Sequence, residues 1–160
     1  MQRADRTSTM PHLLRRFVGH LRAKPLTEVE AGEVRERLGE RLAELFFTMV
    51  PGDQRHAFDV YRRSGADEVV GVAALMHDVG KTVAPSGAIA RSLATVASAL
   101  GLPLRGSWAT YRDHAAIGAT MLEEAGADTF AIAFTRGHPG IPPAGIDAEA
   151  WERLASADDV

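Results

Sequence analysis

His56, His77, Asp78, His114, His138 and Asp158 follow one another along a chain of 160 residues, with His77 and Asp78 adjacent inside Met76-His77-Asp78-Val79-Gly80-Lys81. Imidazole nitrogens and carboxylate oxygens are the donors that hold divalent ions able to activate water, so the series reads as a hydrolytic metal centre. Asp78 has a second oxygen with which to bridge two ions, and two ions sharing a hydroxide make a nucleophile suited to phosphorus. Lys81, just beyond, is placed to meet a phosphate as a point charge. Four of the six histidines belong to the series; His12 and His20 do not. A single histidine is ordinarily a hydrogen-bonded core or surface residue, and it is the ordered set that points to chemistry. The pair His77-Asp78 adds to it, because a buried apolar segment has no other use for two polar side chains.

The elements that must position these groups are all helical, since the apolar residues recur at three- and four-residue steps and no run alternates with a period of two. A first helix is expected over 10–23, with Leu13, Leu14, Phe17, Val18 and Leu21 on one side and Arg15, Arg16 and Arg22 on the other. Thr27-Glu28-Val29-Glu30 has the form of a capping box. The helix it opens should be one long amphipathic rod, with Val34, Leu38, Leu42, Leu45 and Met49 inward, stopped by Pro51 and Gly52. A third helix, Asp53 to Arg63, turns Ala57, Val60 and Tyr61 to the core and sets His56 at the edge of that face. The fourth starts near Asp67 and is apolar nearly all round, so it is expected to be the central buried helix. Gly80 would be its C-terminal cap, with His77 and Asp78 in the last turn.

Helical spacing resumes over 86–100, and a connecting loop covers 101–110. Asp113 caps the next helix, which carries His114 in its first turn, Ile117, Met121 and Leu122 on its apolar side, and Gly118 where a neighbour comes close; Gly126 ends it. A short helix from Asp128 to Arg136, a loop around His138 and a last helix from Asp147 complete the chain.

With 46% hydrophobic residues, a chain of this length can bury one substantial core without disulfides. The absence of cysteine excludes thiolate catalysis and thiolate metal ligands, leaving nitrogen and oxygen donors. A formal charge of -3 gives no general field for nucleic acid, but the sign is uneven. Residues 1–24 carry six Lys or Arg against one Asp, and residues from 51 onward carry nine against fourteen Asp or Glu, the half that bound cations would neutralise. No apolar run reaches the length of about 18 residues needed to span a bilayer, so a soluble cytoplasmic protein without nucleic-acid or membrane partners is expected. The amphipathic helix after Thr27 is expected to pack on its own domain, its competing role being a homodimer surface.

The ordered set resembles the HD superfamily of metal-dependent phosphohydrolases, whose central signature, in its Asp-Ile-Gly-Lys variety, is matched by His77-Asp78-Val79-Gly80-Lys81 with Val79 for Ile. The likeness covers about 51–160. It implies an all-α HD-type bundle over that range, with residues 1–50 added as amino-terminal helices packed on the core. It further implies that His56, His77, Asp78 and Asp158 hold a first ion, with Asp159 as the neighbouring carboxylate able to substitute. A second ion, bridged by Asp78, would take His114 and His138, so the expected cofactors are two divalent ions such as Fe or Mn. Similar proteins hydrolyse nucleotides with a metal-bound hydroxide. Asp78 and Lys81 would then be catalytic, and Lys81, Arg112 and Arg136 are the cations for the substrate's phosphates. The chain lacks the Gly-Tyr-Pro signature of the cyclic dinucleotide phosphodiesterases in that superfamily, reading Pro139-Gly140-Ile141-Pro142-Pro143 instead, which disfavours their substrates. Two alternatives remain open at this level: a mixed-valent di-iron oxygenase, for which the same ligands serve, and a noncatalytic nucleotide-sensing or dimerisation module.

Overall fold

The computed structural model of the chain describes residues 24–83, 114–138 and 140–159, in which six α-helices and one 3₁₀ turn are found and no strand. The all-helical expectation holds for these residues. The expected helices over 10–23 and 86–100, the loop 101–110, the Asp113 cap, Arg112, His12 and His20 lie outside them.

Helix α1 (Glu28–Thr48) begins with the reciprocal cap that its sequence announces: Thr27 N donates to Glu30 Oε2 at 2.8 Å, and Glu30 N donates to Thr27 Oγ1 at 3.3 Å. It is not one continuous rod. Gly39 takes φ 68° and ψ 177°, which breaks the hydrogen-bond ladder and rephases the face that follows. Beyond the break Leu42, Ala43 and Phe46 are buried, and Leu45, expected inward, is only partly covered. Helix α2 (Pro51–Arg63) starts two residues earlier than expected, because proline at the first helical position loses no needed N–H and already has a helical φ. Ala57, Phe58, Val60 and Tyr61 form its buried face.

Helix α3 (Gly71–Met76) is shorter than the sequence suggests. Asp67 Oδ1 accepts from the N–H groups of Val69 and Val70, both at 3.0 Å, which satisfies them in a turn before the helix begins. His77 is the cap at its other end, and a 3₁₀ turn (Val79–Val83) follows Asp78. Gly80 therefore does not end an α-helix in the left-handed conformation; its φ is not positive. It is glycine for want of space: a Cβ there would stand 1.9 Å from the carbonyl oxygen of His114 and 2.7 Å from Gly118 N. The two glycines let the 3₁₀ turn and helix α4 (His114–Ala125) touch backbone to backbone, as the sequence leads one to expect for Gly118.

Gly126, with φ 80°, closes α4, and Ala127 N donates back to Leu122 O at 2.9 Å. Helix α5 (Thr129–Gly137) is capped by Asp128 through Ala131 N at 2.8 Å. Helix α6 (Ala148–Asp158) is capped by Asp147, whose Oδ1 accepts from Glu149 N and Ala150 N.

These elements share one core that includes Val34 and Phe46 of α1, Val60 of α2, Leu75 and Met76 of α3, Leu122 of α4, Phe134 of α5, and Trp151 and Leu154 of α6. The apolar face of α1 is thus covered by the chain's own residues. Complete burial of side chains of this size contributes about 1.5–3 kcal/mol each before conformational entropy is set against it. No helix among the described residues is long and apolar enough to cross a membrane.

Candidate metal centre

Residues from four separate helices and the turn after α3 converge at the carboxyl end of that buried helix. His77 is 2% exposed, with Ala73, Ala74, Leu75 and Met76 fully buried before it and Val79 after it. Its Nδ1 lies 2.9 Å from the carbonyl of Ala74, an acceptor only, so Nδ1 carries the proton and donates. In its neutral form the ring therefore presents a lone pair at Nε2. That atom is buried, 3.4 Å from Asp158 Oδ1 and 3.6 Å from Asp78 Oδ2, and makes no hydrogen bond among the described residues.

His56 comes from the middle of α2 and Asp158 from the end of α6, and the two meet at 2.9 Å between Nε2 and Oδ1. Neighbouring backbone contacts fix both. Arg55 Nε and Nη2 donate to the carbonyls of Lys24 and Pro25, each at 3.0 Å, and the guanidinium pairs with Glu30 at 2.7 and 2.8 Å, which straps α2 to the start of α1. Arg63 Nε donates to Ala157 O at 2.9 Å, holding the last turn of α6 against the end of α2. Asp158 is the carboxylate inside the cluster, and its neighbour Asp159 is exposed.

His56, His77 and Asp158 can hold a metal ion: one donor atom of each lies within 4.8 Å of the others. Asp78 adjoins this group, its Oδ2 4.0 Å from His56 Nε2. His138, at the cap of α5, places Nε2 3.6 Å from the other oxygen of Asp158. Its ring is set by Phe134 at 4.8 Å between centroids, nearly perpendicular, and lies 5.4 Å from the His77 ring. His114 opens α4, and its charge would bear on His138.

Of the expected phosphate-binding cations, Lys81 is paired with Asp78, and Arg136 is paired with Glu123 of α4 at 2.9 Å on the exposed side of α5. Two contributors were not singled out by sequence. Trp151, 1% exposed, donates from Nε1 to Gly140 O at 2.9 Å and so anchors the loop that follows His138. Thr135 is buried with a hydroxyl that makes no hydrogen bond among the described residues. A tryptophan on the apolar side of the last helix was the available signal for the first; nothing in the sequence distinguishes Thr135.

The charges agree with a cation site. Burial pushes Asp158 toward the neutral acid, but the hydrogen bond from His56 and the nearby ring of His77 hold it well below the usual carboxylate range. Burial acts on Asp78 in the same sense and is outweighed first by Lys81 and then by the two histidines. For His77 burial opposes a positive charge, and the carboxylates of Asp78 and Asp158 reverse the balance, so its pKa is raised. Burial lowers that of His138, which keeps the ring neutral and a lone pair available.

A divalent ion fits these residues. His77 Nε2 and both ring nitrogens of His138 are buried without a hydrogen-bond partner among the described residues, an arrangement that costs about 1–3 kcal/mol for each unsatisfied group. Two ionised carboxylates face them. The donors are nitrogen and oxygen throughout, which suits manganese, iron or zinc. No known protein family, curated protein or solved structure matches the chain.

Proposed function

We propose that the chain is a metal-dependent phosphohydrolase of the HD type, acting on a nucleotide or a related small phosphate ester. The observation that carries the proposal is the His77 ring, fixed by its Nδ1 hydrogen bond to Ala74 and turned so that an unsatisfied buried Nε2 faces two carboxylates.

His56, His77, Asp78 and Asp158 would hold a first ion, and His138 and His114 a second. Bound there, divalent ions supply a water acidified toward neutrality and positive charge for the oxyanion that develops at phosphorus. The chain's own residues do the positioning. Ala74 and the buried α3 fix His77, the strap through Arg55 fixes α2 and with it His56, and Arg63 fixes the turn that carries Asp158. Asp78 and Asp158, held ionised, compensate the positive charge of the centre, and Lys81 is the nearest cation for a substrate phosphate. A cytoplasmic location and a small phosphorylated substrate accompany this reading.

The test is release of phosphate by the purified full chain from a panel of nucleotides, supplemented in turn with manganese, iron, cobalt or nickel. Turnover that is lost in His77→Ala is expected. No phosphate release from any substrate with any metal, with His77→Ala indistinguishable from the unaltered chain, would sink the proposal.

A further inference from the structure

The ammonium of Lys81 is paired with Oδ2 of Asp78, one turn back along the chain. That same oxygen approaches both histidines of the centre, at 3.6 Å from His77 Nε2 and 4.0 Å from His56 Nε2. One carboxylate oxygen thus serves an internal cation on one side and faces the donors of the candidate metal group on the other. An ion held by His56, His77 and Asp158 would lie against this oxygen and close to the ammonium.

The field acts in the same sense as the contacts. Burial alone would drive Asp78 to its neutral acid; of the charges that keep it ionised, Lys81 contributes more than either histidine. The same ammonium acts against positive charge on His77. Lys81 therefore both substitutes for a cation at Asp78 and repels one at the neighbouring ligand. Its side chain is 20% exposed and has a flexible four-carbon stem, so the head group can leave without moving the 3₁₀ turn that carries it.

We infer that Lys81 is a built-in counter-cation, which neutralises Asp78 while the centre is metal-free and is displaced from it by the entering metal ion. Metal loading and release of the ammonium toward the substrate side are then a single event, and the order of assembly is metal first, phosphate second. The inference rests on the metal centre proposed above. It gives Lys81 a role opposite in sign to that of a residue that helps to build the site, because removing it should strengthen metal binding.

The experiment is titration of the full chain with Mn(II) alone, followed by calorimetry, for the unaltered protein, Lys81→Met and Lys81→Arg. Removing a like charge at this range should tighten Mn(II) binding in Lys81→Met by about tenfold or more, whereas Lys81→Arg, which keeps the charge, should stay near the unaltered value. Equal or weaker binding by Lys81→Met, with Mn(II) bound normally by the unaltered chain, would overturn the counter-cation alone. Absence of Mn(II) binding in every variant would overturn the metal centre and this inference with it. Should Lys81→Met fail to fold, crystals of the unaltered chain soaked in Mn(II) decide: the Lys81 ammonium is expected off Asp78 Oδ2, and a retained pair beside a bound ion would refute displacement.

Discussion

Replacing Gly80 by alanine adds one methyl group at the point where the turn bearing Asp78 meets the helix bearing His114. In the structure that carbon would lie 1.9 Å from His114 O, 2.7 Å from Gly118 N and 2.9 Å from the His114 carbonyl carbon. All three are backbone atoms, so no side-chain rotation relieves the overlap. To reach even the closest separation seen for real Cβ atoms, the 3₁₀ turn and α4 must part by about 1 Å, in a core whose packing transmits such shifts. Overpacking of this kind costs about 1–3 kcal/mol, and the backbone clash puts Gly80→Ala toward the upper end. Gly32 is the internal control. It lies on the exposed side of α1 with nothing within 4 Å of an added Cβ, so Gly32→Ala should stabilise by about 0.5–1 kcal/mol through helix propensity. Urea unfolding of the two variants against the parent measures both, and opposite signs are expected. If Gly80→Ala is neutral or stabilising, the contact between the turn and α4 is not as described. If the proposed second ion is held by His114, a folded Gly80→Ala should also bind fewer metal ions per chain than the parent.

Metal should act as a folding ligand: Mn(II) at 100 times its dissociation constant should raise the unfolding free energy by about 2.7 kcal/mol, EDTA should reverse the rise, and His77→Ala should abolish it in a thermal melt. Trp151→Ala removes a fully packed ring, 4.9 Å from that of Phe134, together with the anchor of Gly140, and should cost about 3–5 kcal/mol by chemical denaturation; a cost under about 1 kcal/mol would contradict its burial. Arg55, as the nearest hydrogen-bonding cation, lowers the Glu30 pKa to about 2, with further help from Thr27, so the stability this carboxylate contributes is present above its unfolded value near 4.5 and fades as the pH falls through about 2. The melting temperature of Glu30→Gln should accordingly lie below that of the parent at pH 7 and approach it at pH 2; a gap that widens on acidification would refute the sign.

The helices were legible because their punctuation is local. The Thr27-Glu30 capping box, Asp128, Asp147 and Gly126 each act on backbone groups a few residues away, and each does in the structure what its residue type implies. The errors lie where tertiary contacts decide. Gly80 has the spacing of a helix cap, yet its role is set by His114 O, which sequence spacing cannot place beside it. The rod expected from Val34 to Met49 is broken because Gly39 adopts a conformation that its neighbours in sequence do not announce. The short α3 has the same origin, since Asp67 spends its side chain on the turn before the helix. Of the candidate site, the convergence of His56, His77, Asp78, His138 and Asp158 follows the sequence order, whereas the supporting groups do not. Arg63 on the Ala157 carbonyl and Trp151 on the Gly140 carbonyl are contacts to backbone, and backbone acceptors leave no trace in residue types.

Crystals of the full chain loaded with manganese, measured at the manganese absorption edge, test the centre most directly. An anomalous peak bound by Nε2 of His56 and His77 and a carboxylate oxygen of Asp158 is expected, with a second about 3.5–4 Å away toward His138 and His114. Anomalous density absent from this cluster, or found only at surface carboxylates, would contradict the account.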